Sequence, residues 1–555
     1  MRLFVQRARR AAARFELRPH EHPQVAQICR LVGGMPLAIE LAAAWVPVLP
    51  CAEIAREIER GLDFLATSLR DVPERHRSMR AVFDHSWTLL TEDQRDVFSK
   101  LSVFRGGFQR AAAQEVAGAS LSTLSALLGK SFIYQLPSGR CEVHELLRQY
   151  AADRLAACPP EARRTRERHC RYYLAFLAQR EGRLRGHDQQ AALGELGAEI
   201  ENVRAAWRWA SEQGHAGLIA SATDALWSFY VDHGWMIWEA DEAFGGAAAA
   251  LGRPPGPGDG PRPERDLALA KVLAAQGGPC FRLGQVGRAG QLLGRSIALL
   301  RRLDAPRELA FALNQLAAAL HLLGEYAEEE RLLREAIALA HGAGDRWCAA
   351  YSLNDLGLVT LLLGDAAEAR RLCQESLAIF REIGDRRGMA FALNNLGEIA
   401  AQRGHFAEAE RLHGESLALR RAAGDRWGIA YSLSRLGSVA RLRGDLGEAR
   451  ARLLEALGIA SDSRGLPVVL DVLVELATLL AGQRQWSAAL DLVMQVLEHP
   501  ARTRQAQEKA ERLLAGLESE LAPSAVEAAR ASAAASTLEG VVQALLAASE
   551  ATAPA

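Results

Sequence analysis

Four aromatic residues recur forty positions apart, Phe311, Tyr351, Phe391 and Tyr431, and an amide stands three residues after three of them, at Asn314, Asn354 and Asn394. Residues three apart share one face of a helix. Repeated units stacked side by side would align them into an aromatic row and an amide row. Asn is a poor helix former, and its side chain both donates and accepts, which is what an extended peptide backbone asks of a surface that holds it. The same residues could instead serve the fold, the aromatics as core and the amides as ties between neighbouring helices. The fourth unit has Ser434 at the amide position. Trp347 and Trp427, beside recurring turns, are read as packing between units.

Other chemistry finds little support. No Ser-His-Asp or paired-carboxylate constellation can be argued from spacing, so no catalytic residue is assigned. The histidines are scattered; His20 and His22 are the one close pair and lie beside Pro19 and Pro23 rather than on a ligand-forming helix, so no metal site is assigned. The eight cysteines form no close pair of the kind a zinc or redox motif needs, and read as reduced thiols in a cytoplasmic protein. With a net charge of -1, no global field draws the chain to nucleic acid or an anionic membrane, so a partner must be recognised locally. The longest apolar stretch, Met35 to Leu49, is interrupted by Glu40 and is too short to span a bilayer.

The elements that must position the aromatic row are themselves periodic. Between 267 and 500, Leu353-Asn354-Asp355-Leu356-Gly357 overlays Leu393-Asn394-Asn395-Leu396-Gly397 and Leu433-Ser434-Arg435-Leu436-Gly437 at a step of forty, with Leu313 to Ala317 extending the register upstream. The turns Gly344-Asp345-Arg346, Gly384-Asp385-Arg386 and Gly424-Asp425-Arg426 keep the same step. Each unit reads as two helices. The first carries a small residue where its partner must approach; the second carries Ala289, Ala369, Ala409, Ala449 or Ala489; Gly ends a helix and Asp caps the next. Such units cannot bury their apolar faces alone and must stack. This pattern resembles the tetratricopeptide repeat family in its forty-residue form, with four strong units between 309 and 468 and degenerate ones on either side. Glu329 replaces the small residue in one unit. The resemblance implies an α-α superhelix whose inner face binds a protein or peptide, through Phe311, Asn314, Tyr351, Asn354, Phe391, Asn394 and Tyr431.

Ahead of the repeats, Gly33-Gly34-Met35-Pro36-Leu37-Ala38 precedes an apolar helix. Arg77 to Leu90 follows, then Thr91-Glu92-Asp93-Gln94 as a capping box, a short helix from Leu121 to Leu128, and two strand-like runs, Phe132 to Leu136 and Arg140 to Val143. That order predicts a winged helix with a small β-hairpin. With Val143-His144-Glu145-Leu146 and Glu201-Asn202-Val203-Arg204, the segment from Leu3 to Asn202 resembles the part of the STAND regulatory ATPases (the NB-ARC/NACHT-like group) that follows their P-loop. That group includes bacterial transcriptional regulators with tetratricopeptide arrays. The resemblance implies that Pro36 would lie against an adenine and His144 would reach a phosphate. The 555 residues contain no G-x-x-x-x-G-K-[ST] loop, so neither binding nor hydrolysis of ATP or ADP is expected unless a P-loop domain lies upstream or on another subunit. Gly129-Lys130-Ser131 is a decoy, since Leu124 stands where the loop needs Gly. The winged-helix segment Ser120 to Leu128 offers no Arg, Lys, Asn or Gln for base edges, so direct DNA binding is not expected.

The expected fold is mainly all-α. It comprises a helical domain (1–72), a winged helix (73–158), a helical linker or degenerate repeat (159–252), a Pro/Gly-rich loop (253–266), a solenoid of about six units (267–500), and capping helices with a disordered end (501–555). Leu3, Phe4 and Ala8 place the first ten residues as an amphipathic domain helix rather than a transit peptide. The functional expectation is a regulatory scaffold with a protein or peptide partner; a truncated ATP/ADP-dependent switch and a sensor of a small-molecule inducer are the alternatives.

Overall fold

A computed structural model describes residues 1–12, 15–65, 78–232, 236–253, 262–463 and 465–550. Arg77, most of the Pro/Gly-rich loop (254–261) and the last five residues, where a disordered end is expected, lie outside them. The chain forms two compact units, one of residues 1–174 with 198–209, the other of 175–197 with 210–555.

In the first unit the helix Arg2–Ala11 buries Phe4 and Ala8, as its amphipathic pattern predicts, in a core shared with Val25, Ile28, Ile54, Phe83 and Tyr150. This core joins residues on both sides of the expected boundary at 72. The Thr91 hydroxyl accepts from Gln94 N while the Gln94 side chain accepts from Thr91 N, both at 3.3 Å, so the capping box starts Glu92–Leu101 as read. Helices Arg110–Ala117 and Leu121–Gly129 lead to an antiparallel hairpin in which Tyr134 pairs with Glu142 and Gln135 with Cys141. Among the described residues the fold is therefore helical with one small β-hairpin. Asn202, fully buried, explains its motif: its carbonyl accepts from Arg105 N at 2.7 Å and its amide donates to Gly107 O and Glu199, both at 2.9 Å. Lys130 of the decoy tripeptide donates to Leu89 O and the Gln94 side chain, both at 2.8 Å.

The second unit contains the repeats. Five first helices, Pro306–Leu323, Arg346–Leu362, Arg386–Gln402, Arg426–Arg443 and Leu466–Gly482, begin at forty-residue steps, and each is followed by an antiparallel partner. Pro263–Arg282 and Val286–Leu303 form a hairpin before them. At the turns Gly384 and Gly424 take φ of 82° and 70°, a left-handed conformation that costs glycine nothing, and Asp385 and Asp425 accept from Gly388 N and Gly428 N at 2.9 and 3.0 Å. The seam within each hairpin depends on the small residues. A Cβ at Gly357, Gly397 or Gly437 would come within 2.5, 2.7 or 2.8 Å of Cys373, His413 or Leu453.

One recurrent contact was not anticipated. Ser296, Ser376 and Ser416 donate to the carbonyls of Ala270, Ala350 and Ala390 at 2.7, 2.8 and 2.8 Å, tying the second helix to the first. The tail forms Arg504–Glu518, Pro523–Ala535 and Leu538–Glu550, whose Ala506, Ala510, Leu517, Ala529 and Val542 complete the core left open by the last hairpin. Among the described residues no single helix is long and apolar enough to cross a membrane.

Candidate functional site

The first helices of successive repeats share a face, and on it lies a cavity of about 220 Å³. Tyr351, Phe391 and Tyr431 of the expected aromatic row line it, as do Asn314 and Asn354. Phe311 instead lines a smaller recess next to it, with Arg185, Asp224 and Lys271, and Asn394 lines neither. The cavity's volume lies somewhat below the range usual for sites that hold drug-sized molecules, about 300–1,000 Å³, and is far below what a folded partner needs.

The amides are ties as well as lining. Asn314 donates to Asp355 at 3.0 Å, Asn394 to the Ser432 hydroxyl at 3.0 Å, and Asn395 to the Asn354 side-chain Oδ1 at 3.0 Å. All four amides are buried. Asn394 also meets His413 Nδ1 at 2.9 Å, which holds it in the seam. The row that reaches the cavity along its whole length is the next one, Gln315, Asp355, Asn395 and Arg435, again forty residues apart but different in chemistry at each step. Both tryptophans beside the turns wall the cavity: Trp347 donates to Asp385 of the following unit at 2.8 Å, and Trp427 stacks on Tyr431 of its own helix at 5.6 Å with the rings 4° apart.

Other walls come from outside the strong repeats. Trp227, on the helix Ala216–Asp232, meets Phe311 at 5.1 Å and Trp347 at 6.1 Å, while Pro467, Val468, Thr503 and Gln505 approach from the C-terminal helices. Gln505 contacts His321 at 3.3 Å, and His321 contacts Glu329 at 3.1 Å. Glu329, the departure from the small-residue pattern, is thus a buried acid placed at the cavity with a histidine partner. Burial raises its pKa, against the opposing pull of His321; burial would lower that of His321, but Glu329 holds it raised. Burial lifts Asp355 to about 6, against the Asn314 hydrogen bond that favours its charged form.

The cations differ in how they are held. Arg435 pairs with Asp471, and Arg420 pairs with Asp425 at 3.4 Å. Arg387 lies 5.4 to 5.9 Å from the rings of Phe391, Trp227 and Tyr351. Arg282, the last residue of Pro263–Arg282, faces the Trp427 ring at 5.3 Å. Its sequence signal is a break in pattern: the positions forty, eighty, one hundred and twenty and one hundred and sixty residues on are Leu322, Leu362, Gln402 and Leu442, none of them charged.

In the first unit, Pro36 and His144, which resemblance assigned to a nucleotide, are placed by their own local contacts. Pro36 opens Pro36–Ala43, exposed, and the His144 ring fills the space beside Gly33, where a Cβ would fall 1.6 Å from Nε2. His144 Nδ1 accepts from Leu146 N at 3.2 Å, capping the following helix, and burial lowers its pKa. Among the described residues no group of three or more His, Cys, Asp and Glu side chains could hold a metal ion.

Tetratricopeptide repeat models match residues 310–341 and 348–422, the strong repeats. An HTH-type transcriptional regulator of Mycobacterium tuberculosis is 34% identical over 238 residues, covering 40% of this chain and 27% of the regulator. An uncharacterized protein of the same organism is 32% identical over 165 residues, 28% of this chain and 42% of that protein. The chain thus spans about a quarter to under half the length of these relatives. Among solved structures, a Signal Transduction ATPase with Numerous Domains (STAND) protein with a tetratricopeptide repeat sensor, from Pyrococcus horikoshii, aligns with 98% of this chain and 74% of its own, at a TM-score of 0.51 and 15% identity. Residues 310–341 and 348–422 thus carry tetratricopeptide repeats, and the fold is similar to that of the STAND protein with its tetratricopeptide sensor.

Proposed function

We propose that this chain is the sensor arm of a STAND-type signalling regulator, and that it reads its signal in the cavity on the inner face of the repeats. The observation that carries this reading is the cavity itself. It is walled by aromatics from successive repeats and completed by Trp227 and Gln505 from flanking helices, so an occupant would bind several elements at once. A protein or peptide partner enters this reading only as far as about 220 Å³ admits, by a chain terminus or a single side chain. The arm is read as non-catalytic because the acids at its cavity, Glu329, Asp355 and Asp471, are matched to histidine, amide or arginine rather than exposed in pairs. Nucleotide chemistry would belong to a P-loop domain on a longer form of the chain or on a separate subunit, with Pro36 and His144 contributing to that site.

Leu358, which lines the cavity, gives the test. Leu358→Trp fills the space, and calorimetric titration of small-molecule and short-peptide libraries against both forms reads the result. Ligands that bind the natural chain should lose at least tenfold in affinity to the variant, with circular dichroism unchanged. Binding untouched by the substitution refutes the cavity as the sensing site, and ATP turnover by the chain alone refutes the non-catalytic reading.

A further inference from the structure

We infer that the cavity is built for a carboxylate carried on an aromatic or apolar body, with the Arg282 guanidinium as its receptor; this rests on the reading of the cavity as a ligand site. Arg282 is 9% exposed and lines the cavity. Among the described residues its guanidinium makes no hydrogen bond and no ion pair, and its neighbour is the face of Trp427 at 5.3 Å. The contrast with the other buried arginines is direct, since Arg435 has Asp471 and Arg420 has Asp425. A buried cation without a counter-charge is unfavourable, and a bound anion removes the deficit.

The surroundings sharpen the preference. Burial, helped by the positive charges of Arg387 and Arg420 and opposed by Asp425, lowers the Arg282 pKa to about 9. The acids at the cavity are already engaged: Asp471 by Arg435, Glu329 by His321 and Asp355 by Asn314. They leave one guanidinium to satisfy. A guanidinium presents a planar fork that matches a carboxylate with two parallel hydrogen bonds. A doubly charged phosphate would lose more hydration here and meet the three acids at close range. Phe281, Tyr351, Phe391 and Trp427 offer rings against which a flat or apolar body can lie. Two sources share this chemistry, a free aromatic acid and the C-terminus of a peptide ending in an aromatic residue.

The full chain is titrated calorimetrically with 3-phenylpropionate, its neutral amide, and the tripeptide Ala-Ala-Phe with a free or amidated C-terminus. Each acid should bind at least tenfold more tightly than its amide. Arg282→Gln should abolish that preference, and Arg282→Lys, which keeps the charge, should retain most of it; a preference kept by Lys and lost by Gln excludes a folding artefact. Tighter binding of the tripeptide acid points to a peptide end, and of the simple acid to a small molecule. If acids and amides bind equally, the anion inference fails while the cavity reading stands. If no probe binds at millimolar concentration, the inference fails, and the library titration against Leu358→Trp decides the cavity reading separately.

Discussion

Replacing Arg282 with Met should make the ligand-free protein more stable, which is the reverse of what losing a buried side chain usually does. Met keeps most of the apolar stem and discards the charge. Burial and the nearby guanidiniums of Arg387 and Arg420 bring Arg282 down from the ordinary arginine range to about 9. At about 1.4 kcal/mol per factor of ten in proton affinity, that drop sets an upper limit of roughly 5 kcal/mol on the cost of the folded-state charge. Solvent reaching the cavity reduces this to about 2–3 kcal/mol. The sign against pH follows from the same quantities. Below pH 9 the folded protein bears the whole cost. Above it, the folded-state group can release its proton while the unfolded chain still holds one, so the cost shrinks as pH rises. The advantage of Arg282→Met should therefore be constant from about pH 6 to 8 and diminish toward about pH 10. Urea unfolding followed by tryptophan fluorescence and far-ultraviolet circular dichroism measures it, with midpoints compared because a repeat array need not unfold in one step. A lower midpoint for Arg282→Met would show that the guanidinium is stabilised in the free protein, and the argument for an awaiting anion would fall with it.

Two glycines in one repeat should respond oppositely to alanine. Gly397→Ala drives a Cβ to 2.7 Å from the fully buried His413 ring and should cost about 1–3 kcal/mol, whereas Gly414→Ala, with nothing within 4 Å, should gain up to about 1 kcal/mol; thermal melts showing equal stability would contradict the seam geometry. Gly33→Ala, at a φ of 54°, should evict the His144 ring from its place; its pKa, lowered by burial, should then climb toward the ordinary imidazole value in an NMR titration, and an unchanged value would show that the ring does not depend on Gly33.

The repeat was legible because its cause is local and recurrent. The Leu-x-x-Leu-Gly seam and the Gly-Asp turns are each set by residues a few positions apart, and repetition at forty multiplies a weak signal. The capping box at Thr91 and the wing after Leu128 were readable on the same ground. The site was only half legible. Asn314, Asn354 and Asn394 drew attention by being alike, yet a residue that stays alike through successive units also suits what every unit needs, and these amides tie helices together. The row beside them, which changes from Gln315 to Asp355, Asn395 and Arg435, is the one that faces the cavity throughout.

Sequence alone therefore determined the all-helical class, the period, the hairpin seams and the turn chemistry, because each follows from backbone sterics and side-chain size within one or two units. Tertiary structure decided what closes the cavity and which charge in it lacks a partner. Trp227, Arg282 and Gln505 are separated by up to 278 positions and obey no common period, so no local rule relates them. Whether a buried arginine is paired depends on which side chains packing brings within about 4 Å, a three-dimensional fact that spacing along the chain does not encode.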